Sequence, residues 1–280
     1  LDLGTYRVFD KMGEVFYARE GEKVGTFYGT PMARNCGHLP EGVSCDGFEV
    51  DQYGYLVYTG GAGFSNPQWG TDVDVEGLGS VKWGTPIAGY CIDETTGEQS
   101  QYCEVGNTMP DYNMSFSTTM GWKGLTAYVL VDRSQGFSVY NQPLEWGFFK
   151  RATGIYDEDA DAPISEKKPL GYYDAWYGAA GGLGPDNEFV EDGSFTKLRE
   201  ISLSYRLPAD FIASVPGLNR FSSIGINLQG RNLFTWTDYR GYDPEVGKTG
   251  GDTGSSALAR VDGYTYPNFR TYTASLEFIF

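Results

Sequence analysis

The sequence has almost no histidine, little positive charge and no long apolar run. His38 is the single histidine, so a metal site built from several histidines is excluded and a Ser-His-Asp triad has one candidate base. Lys and Arg number 21 against 37 Asp and Glu, giving a formal charge of −16, and so acidic a chain does not neutralise nucleic-acid phosphates. The apolar runs, such as 127–131, fall far short of the roughly 20 residues that a membrane-spanning helix needs. The sequence therefore predicts neither a nucleic-acid partner nor a helical span.

Aromatic residues and glycine are abundant instead. Phe, Trp and Tyr make up 16% of the 280 residues, and there are 39 glycines. Aromatic content this high can form a hydrophobic core or a lipid-facing surface, which argues against an intrinsically disordered chain. The chain begins Leu1-Asp2-Leu3-Gly4, without a start Met or a signal-peptide pattern. We therefore expect a processed product or a piece of a longer protein, and we favour the piece.

Four cysteines lie in loop-like sequence rich in Gly and Asp. They allow three pairings, and the two local ones join Cys36 to Cys45 and Cys91 to Cys103. Short disulfides of this kind form in an oxidising compartment, whereas the alternative is four unpaired thiols. The spacing favours the two local disulfides and hence an exported protein.

Apolar and polar residues alternate with a period of two in several segments, a pattern typical of β-strands with one apolar face. In the segment 224–236, Ile226 and Leu228 share one face, while Asn227 and Gln229 share the other. Segment 34–108 loses this pattern and is predicted to form loops with short strands, and 14–19 and 24–30 are predicted to form a hairpin. The remaining predicted strands are 112–122, 125–132, 200–207, 224–236 and 271–280.

Alternation fits either a soluble sandwich, in which two apolar faces meet, or a membrane barrel, in which the apolar face meets lipid. Two features besides strand length favour the barrel, whose tilted strands need about ten residues to cross a bilayer. Short turns at 121–124 and 208–221 alternate with long connections at 134–193 and 238–268, as in outer-membrane barrels. Aromatic rings also bracket the apolar faces like interfacial girdles: Tyr112 and Trp122, Phe234 and Trp236, Tyr272 and Phe280.

The chain ends on one of these alternating strands. We expect this strand to act as the assembly signal that the barrel-assembly machinery of the outer membrane recognises. The alternative is an ordinary final strand that happens to end in Phe. The residues assigned to the signal are Tyr272, Leu276, Phe278 and Phe280.

Three segments resemble SusC/RagA-like TonB-dependent outer-membrane receptors. They are 194–208 (SFTKLREISLSYRLP), 230–245 (GRNLFTWTDYRGYDPE) and 266–273 (YPNFRTYT), with weaker similarity at 20–29 and 109–112. The resemblance implies that residues 1–280 are the C-terminal portion of the receptor's β-barrel. This portion is all-β, a transmembrane antiparallel segment of about six to nine strands from a barrel of 22, with long extracellular loops. We expect the family's plug domain and TonB-contacting segment to be absent from these residues.

The resemblance also implies a function. It implies a receptor in the outer membrane of a Gram-negative-type bacterium that takes up a glycan or peptide nutrient, without enzymatic chemistry or a cofactor. Its implied partners are membrane lipid, a SusD-like lipoprotein lid, the TonB complex through the missing N-terminal part, and the barrel-assembly machinery. Two alternatives stay open: a secreted soluble β-rich carbohydrate-binding protein or hydrolase, and a small structural barrel without transport.

Aromatic residues cluster in the long connection that precedes strand 200–207. Such rings stack on sugars or hold apolar peptide side chains, so we predict substrate contacts here; alternatively, they pack the loop against itself or against the lid. Inward polar residues of two strands are predicted to line the lumen. The predicted substrate contacts are Trp146, Tyr172, Tyr173, Trp176 and Tyr177, and the predicted lumen residues are Asn227, Gln229, Arg231 and Glu277.

Motifs that would indicate a metal or phosphate site are incomplete. The acidic run 157–161 places Asp where a calcium loop needs it, but Ala162 replaces the required Gly and Lys168 the bidentate Glu. The run 247–249 resembles the end of a phosphate-binding loop, but Tyr242 stands where its first Gly belongs. We therefore predict no metal site and no catalytic residue.

Overall fold

The computed structural model describes residues 6–7, 17–18, 23–65, 68–69, 71–93, 96–150, 152, 161, 163, 167–168, 172–173, 186–245 and 260–280. Strands dominate its regular structure. The elements are β1 Tyr6–Arg7, β2 Tyr17–Ala18, β3 Thr26–Gly29, β4 Phe48–Val50, β5 Leu56–Tyr58, β6 Asp72–Val75, β7 Gly79–Lys82, β8 Cys91–Ile92, β9 Gln99–Ser100, β10 Cys103–Asn107, β11 Tyr112–Trp122, β12 Leu125–Gln135, β13 Ser138–Asn141, α1 Gln142–Phe149, β14 Val190–Asp192, β15 Phe195–Arg206, α2 Ala209–Ser214, β16 Ser223–Thr237, β17 Val261–Asp262 and β18 Thr271–Ile279.

Five long strands form the main sheet, in the order β11-β12-β15-β16-β18. All four neighbouring pairs are antiparallel. Three of the strands have 11, 12 and 15 residues, well beyond the average of about 5–6 in soluble domains. Among the described residues no helix has the length and apolarity to cross a bilayer. The predicted all-β antiparallel segment is confirmed.

The main sheet has five strands within the described residues, one fewer than the lower end of the expected range. The strand predicted at 24–30 does not join this sheet, because β3 pairs with β10 in a separate two-stranded sheet. Within the described residues, which include only 17–18 of the first predicted strand, the hairpin predicted for 14–19 and 24–30 does not form. Instead β2 pairs with β1, and β3 finds its partner far along the chain.

Strand β15 begins earlier than the alternation indicates, at 195 rather than 200. Its neighbour β12 pairs Leu130 with Glu200 and Val131 with Leu198, so Arg199 is an extra residue with no counterpart on β12. Such a β-bulge interrupts the period of two, so the alternation does not indicate the first five residues of the strand. The predicted strands 112–122, 224–236 and 271–280 match β11, β16 and β18 to within one residue.

Short and long connections alternate along the main sheet, as predicted. The turn between β11 and β12 consists of Lys123 and Gly124, both with positive φ (45° and 85°). Two positive φ angles in a two-residue loop define a type I′ turn, whose twist matches that of the flanking strands. Helix α2 lies in the short connection between β15 and β16, whereas β12 to β15 and β16 to β18 are joined by long connections.

The chain divides into two compact units. The sheet unit comprises Pro110–Phe137, Asp192–Glu245 and Tyr266–Phe280, and the loop unit comprises Leu1–Met109, Ser138–Glu191 and Val246–Thr265. The predicted strand-poor segment 34–108 thus belongs to a folded unit. In the loop unit the backbone pairs in short two-stranded sheets, β3 with β10, β4 with β5, β6 with β7 and β8 with β9.

Two clusters of buried side chains form the core of the loop unit. Disulfides join Cys36 to Cys45 and Cys91 to Cys103, the two local pairings. The larger cluster is Phe27, Met32, Tyr55, Tyr140, Phe148, Tyr172, Tyr173, Phe189 and Val261, and the smaller is Ala33, Leu39, Phe48, Leu56 and Ile87.

Candidate functional site

One face of the main sheet is apolar and exposed. Register pairs Met120 with Ala127, Ala127 with Leu203, Leu203 with Leu228 and Leu228 with Ala274, so an apolar row runs across all five strands. Leu228 is 50% exposed in the middle of its strand, although a soluble sheet would bury such a residue. A contiguous exposed apolar face marks a surface that meets another apolar phase.

Aromatic side chains lie at both ends of this apolar face. At one end Phe234 and Trp236 stack with ring centroids 6.0 Å apart. At the other end the rings of Phe221 and Phe280 approach to 4.9 Å, and the Lys123 ammonium lies 5.2 Å from the Trp122 ring. Amphipathic rings and lysines prefer the boundary between hydrocarbon and water. The six residues of the predicted girdles are all exposed: Tyr112, Trp122, Phe234, Trp236, Tyr272 and Phe280.

The opposite face is polar, and the four predicted lumen residues share it. Asn227 pairs with Ser275 and accepts a hydrogen bond from Ser204 Oγ at 2.5 Å. Glu277 pairs with Gly225 on the same face. Their neighbours Gln229 and Arg231 both bind Glu200. The period of two therefore separates the lumen candidates from the apolar row.

Glu200 links two of the lumen candidates. Gln229 Nε2 donates to Glu200 Oε1 at 2.6 Å, and Arg231 Nε donates to Glu200 Oε2 at 3.1 Å. The carboxylate thus accepts from two side chains of the neighbouring strand. This cross-strand network satisfies the charge of Glu200 on the polar face of the sheet.

A cluster of five charged side chains, which we call the charge cluster, lies on the polar face where β15 begins. Lys197 Nζ lies 2.5 Å from Asp243 Oδ1 and 2.7 Å from Glu245 Oε2. Arg199 Nε lies 2.7 Å from Asp132 Oδ2, and its guanidinium also binds both oxygens of Glu245. The Lys197 side chain is only 2% exposed, so its ammonium depends on these carboxylates for solvation.

Glu245 ionises easily despite its burial. Burial opposes the charged form, but hydrogen bonds from Arg199 and Lys197 outweigh it and hold the pKa of the Glu245 carboxyl below its usual value. Asn268, shortly before β18, donates its backbone N–H to Asp243 Oδ2 at 3.1 Å and its side-chain amide to Glu245 Oε2 at 3.2 Å. The charge cluster therefore binds both ends of the connection between β16 and β18.

Two of the three sequence segments that carry the family resemblance, 194–208 and 230–245, meet at this cluster. The first supplies Lys197 and the second supplies Asp243. Within the second segment Tyr239 is buried, and its ring lies so close to Gly241 that any Cβ there would clash at 2.3 Å. The glycine is needed for this close approach. The spacing of the motif thus follows from how the chain turns after β16.

Two of the predicted substrate contacts are buried in the loop unit. Tyr172 is 0% exposed and Tyr173 is 2% exposed, and both belong to its larger core cluster. Their rings pack edge to face, 5.1 Å apart. This burial agrees with the alternative that the rings pack the loop against itself, and it corrects the expectation of exposed rings. Each buried aromatic ring stabilises the unit because a large apolar surface is removed from water. Trp176 and Tyr177 lie outside the described residues.

Tyr172 also anchors a buried carboxylate. Its hydroxyl donates to Asp51 Oδ2, while Asp51 Oδ1 accepts the backbone N–H groups of Tyr53 at 2.9 Å and Tyr55 at 3.0 Å. Lys168 Nζ lies 3.4 Å from Asp51 and 4.2 Å from the Tyr172 ring. Burial, and then the charge of Asp51, raise the pKa of Tyr172 far above its usual value, so its hydroxyl remains a donor.

Trp146 is the exposed member of the aromatic group. Helix α1 starts after Asn141, whose side chain accepts the Leu144 N–H at 3.0 Å as a helix cap. The helix then directs Phe148 into the core and leaves Trp146 46% exposed. Trp146 therefore differs from Tyr172 and Tyr173, whose rings are buried.

The final strand β18 has the expected apolar side, with Tyr272, Leu276, Phe278 and Phe280 all exposed. Among the described residues there is no group of three or more His, Cys, Asp or Glu arranged to hold a metal ion. The runs 157–161 and 247–249 fall mostly outside the described residues.

Comparison with known proteins gives both sequence and structural relatives. The chain is 31% identical over 178 residues to TonB-dependent receptor P26 of Formosa agariphila (63% of this chain, 18% of that protein), and 25% identical over 265 residues to receptor P3 of the same organism (94% and 23%). No family model matches.

The fold matches part of a known importer. The structure of the RagAB peptide importer in the open-open state aligns with a TM-score of 0.56 and 18% identity, over 100% of this chain and 25% of that chain. A second RagAB peptide transporter structure gives a TM-score of 0.53 over 99% and 24%. The resemblance to SusC/RagA-like TonB-dependent receptors is confirmed. The predicted outer-membrane location is confirmed with it. The chain spans about a fifth to a quarter of the length of these relatives.

Proposed function

We propose that this chain forms barrel wall and outer connections of a TonB-dependent receptor that imports a glycan or peptide nutrient without enzymatic chemistry. The exposed apolar row across the main sheet carries the proposal, because Leu203 and Leu228 would be buried in a soluble sandwich. A lipid-facing strand exposes its apolar side to hydrocarbon and turns its polar side inward. The carbohydrate-binding or hydrolase alternative has no comparable support.

The polar face supports a water-filled interior. Asn227, Gln229, Arg231 and Glu277 lie on it, and we propose that they line the lumen along which a solute passes. Their hydrogen-bonding groups suit a polar cargo better than an apolar one. In this account solute first meets the outer connections, where Trp146 offers an exposed ring for a sugar or an apolar peptide side chain.

The wider machinery belongs to the same proposal. A SusD-like lipoprotein would cover the outer connections, the TonB complex would supply energy through a plug, and the assembly machinery would recognise β18. The support is the similarity to TonB-dependent receptors and to the fold of the RagAB importer. An open five-stranded sheet cannot be stable alone in lipid, because its edge N–H and C=O groups would be unpaired there, so the wall needs further strands.

The solute class can be tested on the full-length receptor, purified in detergent from outer membranes. Native mass spectrometry should detect oligopeptides or oligosaccharides that co-purify with it, and Trp146→Ala should reduce their occupancy several-fold. A matched control is Trp122→Ala, which changes an exposed ring in the main sheet instead of the loop unit. A receptor that is folded and monodisperse in plain buffer would contradict the proposal.

A further inference from the structure

We propose that Lys197 is a positioning residue that fixes both ends of the connection between β16 and β18 to the polar face of the main sheet. The inference goes beyond the proposed function, since it holds whatever solute the receptor imports. It also assigns a role to the charge cluster, which none of the predicted site residues includes.

The hydrogen bonds run from the strand to both ends of the connection. Lys197 Nζ binds Asp243 Oδ1 at 2.5 Å, just after the chain leaves β16. The other oxygen of Asp243 accepts the backbone N–H of Asn268 at 3.1 Å, just before the chain enters β18. One carboxylate therefore joins the outgoing and returning segments, and the buried ammonium holds that carboxylate.

The cluster keeps two acidic side chains close together. Asp243 and Glu245 would repel each other without a cation between them, and Lys197 lies within 2.7 Å of both. Arg199 adds a second cation to Glu245 and is itself held by Asp132 of β12. The strand bulge at Arg199 explains how Arg199 and Glu200, although adjacent, both reach partners on the polar face.

The strands themselves do not depend on Lys197. β15 and β16 are joined by a backbone ladder from Phe195–Thr237 to Arg206–Gly225, which no side chain at 197 interrupts. Removal of the ammonium should therefore release the connection and leave the sheet paired. This selective effect separates a positioning residue from one that only stabilises the fold.

Hydrogen exchange measured by mass spectrometry on the full-length receptor can test this. The reporters are the N–H of Glu245, which donates to Asp243 Oδ1 at 3.0 Å, and the N–H of Asn268. In Lys197→Met we expect exchange in peptides covering 238–245 and 266–270 to accelerate at least ten-fold, while peptides from β11 and β12 keep the wild-type rate. The matched control is Lys82→Met, which breaks an exposed ion pair to Asp72 and should change neither region.

Asp243→Asn is the second variant in case Lys197→Met does not insert into the membrane. It keeps the side-chain shape but removes the charge, and should accelerate exchange in the same two regions. Unchanged exchange there in both variants would overturn the inference. Faster exchange throughout the sheet would overturn it too, since Lys197 would then be a general stabiliser. A receptor that imports no solute would refute the proposed function but leave this result standing.

Discussion

Lys197 and Asp243 are 46 residues apart in the chain, yet the ammonium of one lies 2.5 Å from a carboxylate oxygen of the other, and both are buried. They belong to two of the three sequence segments that resemble TonB-dependent receptors. One segment provides the cations of β15, and the other provides the acids of the connection between β16 and β18.

A double-mutant cycle should show strong coupling between Lys197 and Asp243. Lys197→Met alone leaves a buried carboxylate without its cation and should lower the free energy of opening the connection between β16 and β18 by about 3–5 kcal/mol, while the sheet stays paired. The combined Lys197→Met, Asp243→Leu variant should recover part of that loss, because neither charge is then left alone. Native-state proteolysis of this connection in the full-length receptor measures the opening free energies, and additive losses would contradict the coupling.

Stability should fall at acidic pH through Glu245. Its folded-state pKa lies below its ordinary value of 4.5, so its contribution is fully present above that value and is lost as the pH falls through the lower folded-state pKa. Unfolding free energy should be level from about pH 7 to 5 and then decline. Glu245→Gln should flatten that decline, whereas Glu98→Gln, at an exposed site, should not. Equal pH profiles for wild type and Glu245→Gln would refute this role.

Arginine should be tolerated on one face of the main sheet and not on the other. Leu228→Arg or Ile226→Arg places a charge in hydrocarbon and should cost about 2–4 kcal/mol if the site is near the bilayer midplane. Ser275→Arg, on the polar face of the neighbouring strand, is the matched control and should cost much less. The comparison uses unfolding free energies in bilayers, and equal losses at the three sites would contradict a sheet with one lipid-facing and one water-facing side.

Tyr172 and Trp146 should separate stability from binding. Tyr172→Phe removes the hydroxyl that donates a hydrogen bond to Asp51. It should lower the unfolding free energy by about 1–3 kcal/mol, because a buried carboxylate loses a donor. Trp146→Ala should change stability by less than about 0.5 kcal/mol and should weaken solute binding. Thermal unfolding and solute occupancy are measured on the same preparations. If Tyr172→Phe kept the wild-type stability while Trp146→Ala unfolded, the structure of the loop unit would be contradicted.

The sequence predicts the main sheet well where side chains alternate without interruption. The bounds of β11, β16 and β18 follow from one apolar face, which the structure leaves exposed. The pattern fails at the start of β15, because the bulge at Arg199 interrupts the alternation of the two faces. The burial of Lys197 is also not predicted, because a lysine in a strand is normally expected at the surface.

The loop unit could not be predicted from periodicity. Its strands have two to five residues, too few to show a period, and its buried Tyr172 and Tyr173 lie in sequence that alternation does not organise. Packing between segments distant in the chain decides whether such rings are core or contact residues. The cysteine spacing was informative, because a local disulfide needs only a short closed loop.

Accessibility measurements on two neighbouring residues of β16 show which face of the main sheet meets lipid. Nitroxide labels at Leu228→Cys and Gln229→Cys, in the full-length receptor in bilayers, report collisions with lipid-soluble oxygen and with a water-soluble nickel complex. The label at 228 should collide mainly with oxygen, and the label at 229 should collide mainly with nickel. Shielding of the label at 228 from both reagents would show a dry protein core on the apolar face, and would contradict the barrel.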